Sequence, residues 1–112
     1  MDTFNNQDPR EFYTNKHKMA DEQTLQAKNL EAAKAIYYEL KALKAISYEI
    51  FRKLFFHFRA DLPSYGIYKN WETTERFLVQ KGIMTINRIN GLRIYIATQK
   101  CVRTQSFENA IK

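Results

Sequence analysis

Residues 71–98, WETTERFLVQKGIMTINRINGLRIYIAT, decide the fold of this chain. In the first half, Trp71, Thr74, Phe77 and Leu78 recur at steps of three and four. At about 100° per residue they gather on one arc, which must face a core. Asn70 reads as the cap of this helix, with Glu72 favourably placed in its first turn. Gly82 ends it, because a glycine after the last turn takes the left-handed conformation cheaply. The period then changes: β-branched and aromatic residues flank Asn90-Gly91, the dipeptide preferred in two-residue hairpin turns. Such a turn pairs Ile89 with Leu92, Arg88 with Arg93, Asn87 with Ile94 and Ile86 with Tyr95.

Two basic features follow from that layout. Lys69, Thr73, Arg76 and Gln80 fall on the arc opposite Trp71, and combine two cations with two hydrogen-bonding side chains. That is the chemistry needed to contact phosphates and base edges, although a solvated helix face has the same composition. Glu72 borders this face and suits either a cytosine amine or the helix N-terminus. Arg88 and Arg93 face each other across the hairpin, which destabilises it by some tenths of a kcal/mol unless an anion intervenes. A phosphate backbone or a narrow minor groove supplies one; a carboxylate from elsewhere in the fold is the alternative.

The order helix, turn, helix, glycine, hairpin resembles the end of a winged helix-turn-helix domain. Leu78, Lys81, Gly82 and Ile83 match the phrase in which such a recognition helix finishes, leucine-x-x-lysine-glycine-aliphatic. Arg88, Asn90, Gly91, Arg93 and Tyr95 match the wing and its following strand. The resemblance spans residues 46–98 and is close over 71–98. Pro63 and Gly66 in a short second helix, and Glu75 where an aliphatic is usual, depart from the pattern. The resemblance implies a mostly helical α+β fold, winged-helix-like, with a long N-terminal helix and a C-terminal hairpin wing. It also implies that Lys69, Asn70, Thr73, Arg76 and Gln80 enter a major groove, while Arg88, Asn90 and Arg93 hold flanking backbone or minor groove.

Upstream, residues 1–20 are polar and aperiodic, which predicts a flexible arm ahead of a single domain over 21–112. No Gly or Pro occurs from Glu11 to Leu62, and Asp21 can cap a helix start. Ala33, Ile36, Leu40, Leu43, Ser47, Ile50 and Leu54 step along one face, widened by Tyr37, Phe51, Phe55 and Phe58. A helix running to Arg59 is about 57 Å long, too long for a small domain, so part of it projects, breaks or pairs with a second subunit. Residues 21–45 are the expected dimerisation segment. The near-copies KAIYYEL (34–40) and KAISYEI (44–50) cannot share one face of a straight helix, so the helix bends there or buries two faces. SYGIY (64–68) reads as a short helix or turn, and residues 101–112 as a strand extension followed by a short helix or frayed end.

The chain has 112 residues and a formal charge of +6; residues 84–104 hold Arg88, Arg93, Lys100 and Arg103 with no acid. That balance favours a polyanionic partner. The basic face of the long helix (Lys34, Lys41, Lys44, Arg52, Lys53) suits phosphate contact or plain solvation. A single cysteine, Cys101, excludes an internal disulfide and a cysteine-built zinc site. His17 and His57 stand alone, and no phosphate loop, nucleophile elbow or acidic pair occurs, so no metal, cofactor or catalysis is expected. No apolar run suits a membrane span and no leader is apparent, which predicts a cytoplasmic chain. The expected function is non-catalytic, sequence-specific binding of double-stranded DNA, as a homodimeric transcriptional regulator. A protein-interaction module on the same scaffold is the alternative, and a replication or DNA-packaging factor a third.

Overall fold

The computed structural model describes residues 25–112. The expected polar arm and the Asp21 cap lie outside these residues. The long helix does not form as one piece. Helix α1 (Ala27–Leu43) stops where Lys44 turns left-handed at φ 72°, its N–H bonding back to the Leu40 carbonyl. Ala45–Ser47 then straighten into strand β1, and helix α2 (Tyr48–Phe58) follows at once. Ser47, counted as part of the helical stripe, is the N-cap of α2: its Oγ accepts from the Ile50 N–H at 3.2 Å. The two near-copies therefore fold differently. Of their first six positions only one differs, Tyr37 in the first and Ser47 in the second. A tyrosine continues a helix, whereas a serine hydroxyl can satisfy the first turn of a new one.

Helix α3 (Ser64–Gln80) is longer than expected and includes SYGIY. Pro63, at φ −71°, precedes its first turn with backbone already suited to the entry. Ile67 packs against the core, so this segment is held by burial despite Gly66. Asn70 lies six residues inside the helix and is not its cap. At the other end Gly82 has φ +75°, and the Ile83 N–H reaches the Leu78 carbonyl at 3.0 Å, closing the helix as expected.

Strands β2 (Met84–Ile89) and β3 (Leu92–Ala97) form the expected hairpin with the expected register, Arg88 opposite Arg93 and Ile86 opposite Tyr95. Asn90 and Gly91 both have positive φ, 54° and 80°, as a primed two-residue turn requires. β1 adds antiparallel to β3, Ile46 against Tyr95, giving the sheet order β1-β3-β2. The end of the chain does not extend the strand. It forms two short helices, α4 (Gln99–Arg103) capped by Thr98 and α5 (Phe107–Ala110) capped by Ser106.

The architecture is mostly helical α+β with one small antiparallel sheet. Ile36, Tyr37 and Leu40 of α1, Phe51 and Phe55 of α2, Leu78 of α3 and Tyr95 of β3 are fully buried. The aromatics interlock: the Phe51 ring stacks on Tyr95 with centroids 4.3 Å apart, and Trp71 meets Phe51 at 5.3 Å and Phe55 at 5.5 Å. Ala32, Ala33, Ile36, Tyr37 and Leu40 of α1 are buried in this core, whereas Leu43 at its end is 52% exposed. Over its 17 described residues α1 is about 25 Å long.

Candidate nucleic-acid interface

Helix α3 presents Trp71, Thr74, Phe77 and Leu78 to the core, as the spacing predicts. Its outward arc carries Tyr65, Lys69, Arg76 and Gln80, with Thr73 half-buried at one margin. The Thr73 hydroxyl donates to the Lys69 carbonyl at 2.8 Å. Arg76, half-buried, stands 3.9 Å from the exposed Glu72 one helical turn away. Glu72 is therefore mid-helix, not at the N-terminal turn. Tyr65 and Tyr68 are 89% and 77% exposed. The Lys69 ammonium makes no hydrogen bond or ion pair among the described residues.

Asn70 does not belong to this arc. It is half-buried, and its amide is engaged at both ends: Oδ1 accepts from Asn29 at 2.8 Å and Nδ2 donates to the Gly66 carbonyl at 2.8 Å. Asn29 in turn accepts from the Arg59 guanidinium, which is 4% exposed and grips Asp61 at 3.1 and 3.2 Å. This polar chain ties α1, the end of α2 and α3 together. Asn70 is thus a structural residue, contrary to its expected place in a groove.

The hairpin divides its arginines. Arg88 is exposed with no partner among the described residues, and Asn90 is exposed in the turn. Arg93 instead donates from Nη1 to Glu75 Oε2 at 2.7 Å, and its guanidinium lies 5.9 Å from the centre of the Tyr48 ring. A carboxylate from within the fold therefore neutralises one member of the pair, in place of an external anion. Arg93 is withdrawn from any such anion by this bond.

Glu75, which the sequence marks only as a departure from the winged-helix pattern, is the residue that joins α3 to the hairpin. It is 9% exposed, and Oε2 also accepts from Trp71 Nε1 at 2.9 Å and from the Tyr95 hydroxyl. Burial, ahead of the bond to Glu75, holds the Tyr95 phenol well above its ordinary pKa, so it remains a donor. A signal for this role does exist. Glu75 falls on the buried arc, one turn from both Trp71 and Leu78, and a buried carboxylate must find donors. Arg93 and Tyr95, two residues apart on one face of β3, are positioned to supply them.

The basic stripe expected on the long helix is dispersed. Lys34 pairs with Glu108 at 3.2 Å, and Lys41 donates to the carbonyls of Val102, at 2.8 Å, and Thr104. Arg52 lies over its own Phe56 ring at 5.0 Å. Cys101 is fully buried against the Tyr37 carbonyl, and burial pushes its thiol pKa up. No group of three or more His, Cys, Asp or Glu among the described residues is placed to hold a metal ion, and no described helix is long and apolar enough to cross a membrane. Comparison with protein-family models, curated proteins and solved structures finds no match in any of the three.

Proposed function

We propose that this chain is a winged-helix protein that binds double-stranded DNA sequence-specifically and without catalysis, as a small transcriptional regulator. The element order helix, strand, helix, helix, hairpin, with strand order β1-β3-β2, supports the scaffold. The observation that carries the binding reading is that Lys69 on the outward arc of α3 and Arg88 on the hairpin are exposed cations with no partner among the described residues. The bond from Arg93 to Glu75 ties the hairpin to the inner arc of α3 and takes the second hairpin arginine out of phosphate contact. Lys69, Thr73, Arg76 and Gln80 face the major groove, and Arg88 with Asn90 meets the flanking backbone. Residues 25–112 carry fifteen Lys and Arg against seven Asp and Glu, a formal +8, which draws such a surface toward phosphate.

Fluorescence anisotropy with random-sequence duplexes at two salt concentrations tests this. Binding should weaken as salt rises, and Lys69→Ala with Arg88→Ala should lower the salt slope by about 2, one for each phosphate no longer neutralised. A chain that retains no duplex at low salt would overturn the proposal. The protein-interaction reading draws on a separate observation, the exposed Tyr65 and Tyr68 at the start of α3. Tyrosines are favoured at protein interfaces, and a partner held through them binds with little salt dependence.

A further inference from the structure

The sheet has two faces with different roles. Ile46, Met84 and Tyr95 point into the helices and are 2%, 1% and 0% exposed. Alternation then turns Ala45, Ile89, Leu92, Ile94 and Ile96 to the opposite side. Ile89 and Leu92 are 55% and 65% exposed, and Ile94 and Ile96 are half-buried without joining the core packing. The remaining outward positions, Ser47, Thr85 and Asn87, are neutral. No outward position of the three strands carries a charge, in a chain that is 27% charged.

We propose that this outer face packs against the same face of a second copy. A two-fold axis sets each residue against a copy of its own patch, so a self-complementary face must avoid like charges. Elsewhere the positive surface makes two copies repel. An anionic partner would find no cation on this face. Leu25, the first described residue, lies beside Lys69 and Thr73, a full length of α1 from β1. Strands of six residues, about 3.4 Å per residue and about 4.8 Å apart, give a footprint well below the roughly 800 Å² per partner of a standard interface. The dimer is therefore reversible and concentration-dependent. It leaves the outward arc of α3 uncovered, and it does not depend on the DNA reading.

Sedimentation equilibrium of the full chain over a wide concentration range, without DNA, tests it. The expected result is a monomer–dimer equilibrium on the order of hundreds of micromolar, as a footprint this small implies. Leu92→Glu should weaken it at least about tenfold, with circular dichroism unchanged. Asn87→Lys should weaken it at low salt and recover at high salt, a response that damage to the fold would not give. A chain monomeric at every concentration, or a dimer indifferent to both substitutions, would overturn the proposal.

Discussion

A carboxylate turned toward a core is tolerable only when donors surround it, and Glu75 has three on a single oxygen: Trp71 Nε1, Arg93 Nη1 and the Tyr95 hydroxyl. The consequence is that the two opposed arginines of the hairpin respond differently to removal. Arg93→Ala leaves Glu75 short of its charged donor and should lower unfolding stability by about 1–2 kcal/mol, measured by denaturant titration, with little effect on any salt-dependent binding. Arg88→Ala should leave stability within about 0.5 kcal/mol and act only on binding to a polyanion. Equal effects of the two substitutions on stability would contradict the asymmetry seen in the structure. Asn70 follows the same logic, since each end of its amide is already satisfied within the fold.

At the scale of elements, the junction between α1 and α2 concentrates the local conflict. Lys, Ala and Leu favour continuing the helix through residues 41–45, and Lys44 has no steric reason to turn left-handed. The turn is enforced because Ile46 is buried and β1 is bonded to β3. Lys44→Gly should therefore stabilise the protein by up to about 1 kcal/mol, since glycine reaches φ 72° without the side-chain clash. Ser47→Ala should cost about 1 kcal/mol by removing the cap of α2. Thermal unfolding of both variants checks the pair, and a stabilising Ser47→Ala would sink the capping account. Helix α3 and the hairpin were legible from the sequence because their signals are local: Gly82 and Asn90-Gly91 need positive φ, and alternation fixes the register. The start of α3 was not legible, because Ile67 holds SYGIY in a helix by tertiary burial.

Across the whole molecule, the polar chain from Asp61 through Arg59, Asn29 and Asn70 makes stability depend on acid. The hydrogen bond from Arg59, ahead of all other causes, holds the Asp61 carboxyl below its ordinary 3.8. The unfolded chain therefore takes up this proton more readily than the native one. The contribution of Asp61 is fully present above 3.8 and is lost as pH falls through the lower folded value. Acid titration of the native protein should show this loss, and Asp61→Asn should flatten that part of the profile while leaving its neutral limb unchanged in slope. A variant with the parent's acid limb would remove Asp61 as its source.

Short-range sequence signals suffice for the hairpin and its register, the glycine that closes α3, and the arc of α3 that faces inward. Each depends on the φ preference of one residue or the periodicity of a short run, which neighbours along the chain suffice to set. Tertiary structure alone decided that the N-terminal helix breaks at Lys44, that Asn70 turns inward to Asn29, and that Glu75 takes Arg93 from the hairpin. Those outcomes rest on partners 18 and 41 residues away, in the case of Glu75 and Asn70, or on a strand from the far end of the fold, in the case of β1. Charge and burial bring such groups together only after the chain has packed, and no local pattern records which donor will meet a buried acceptor.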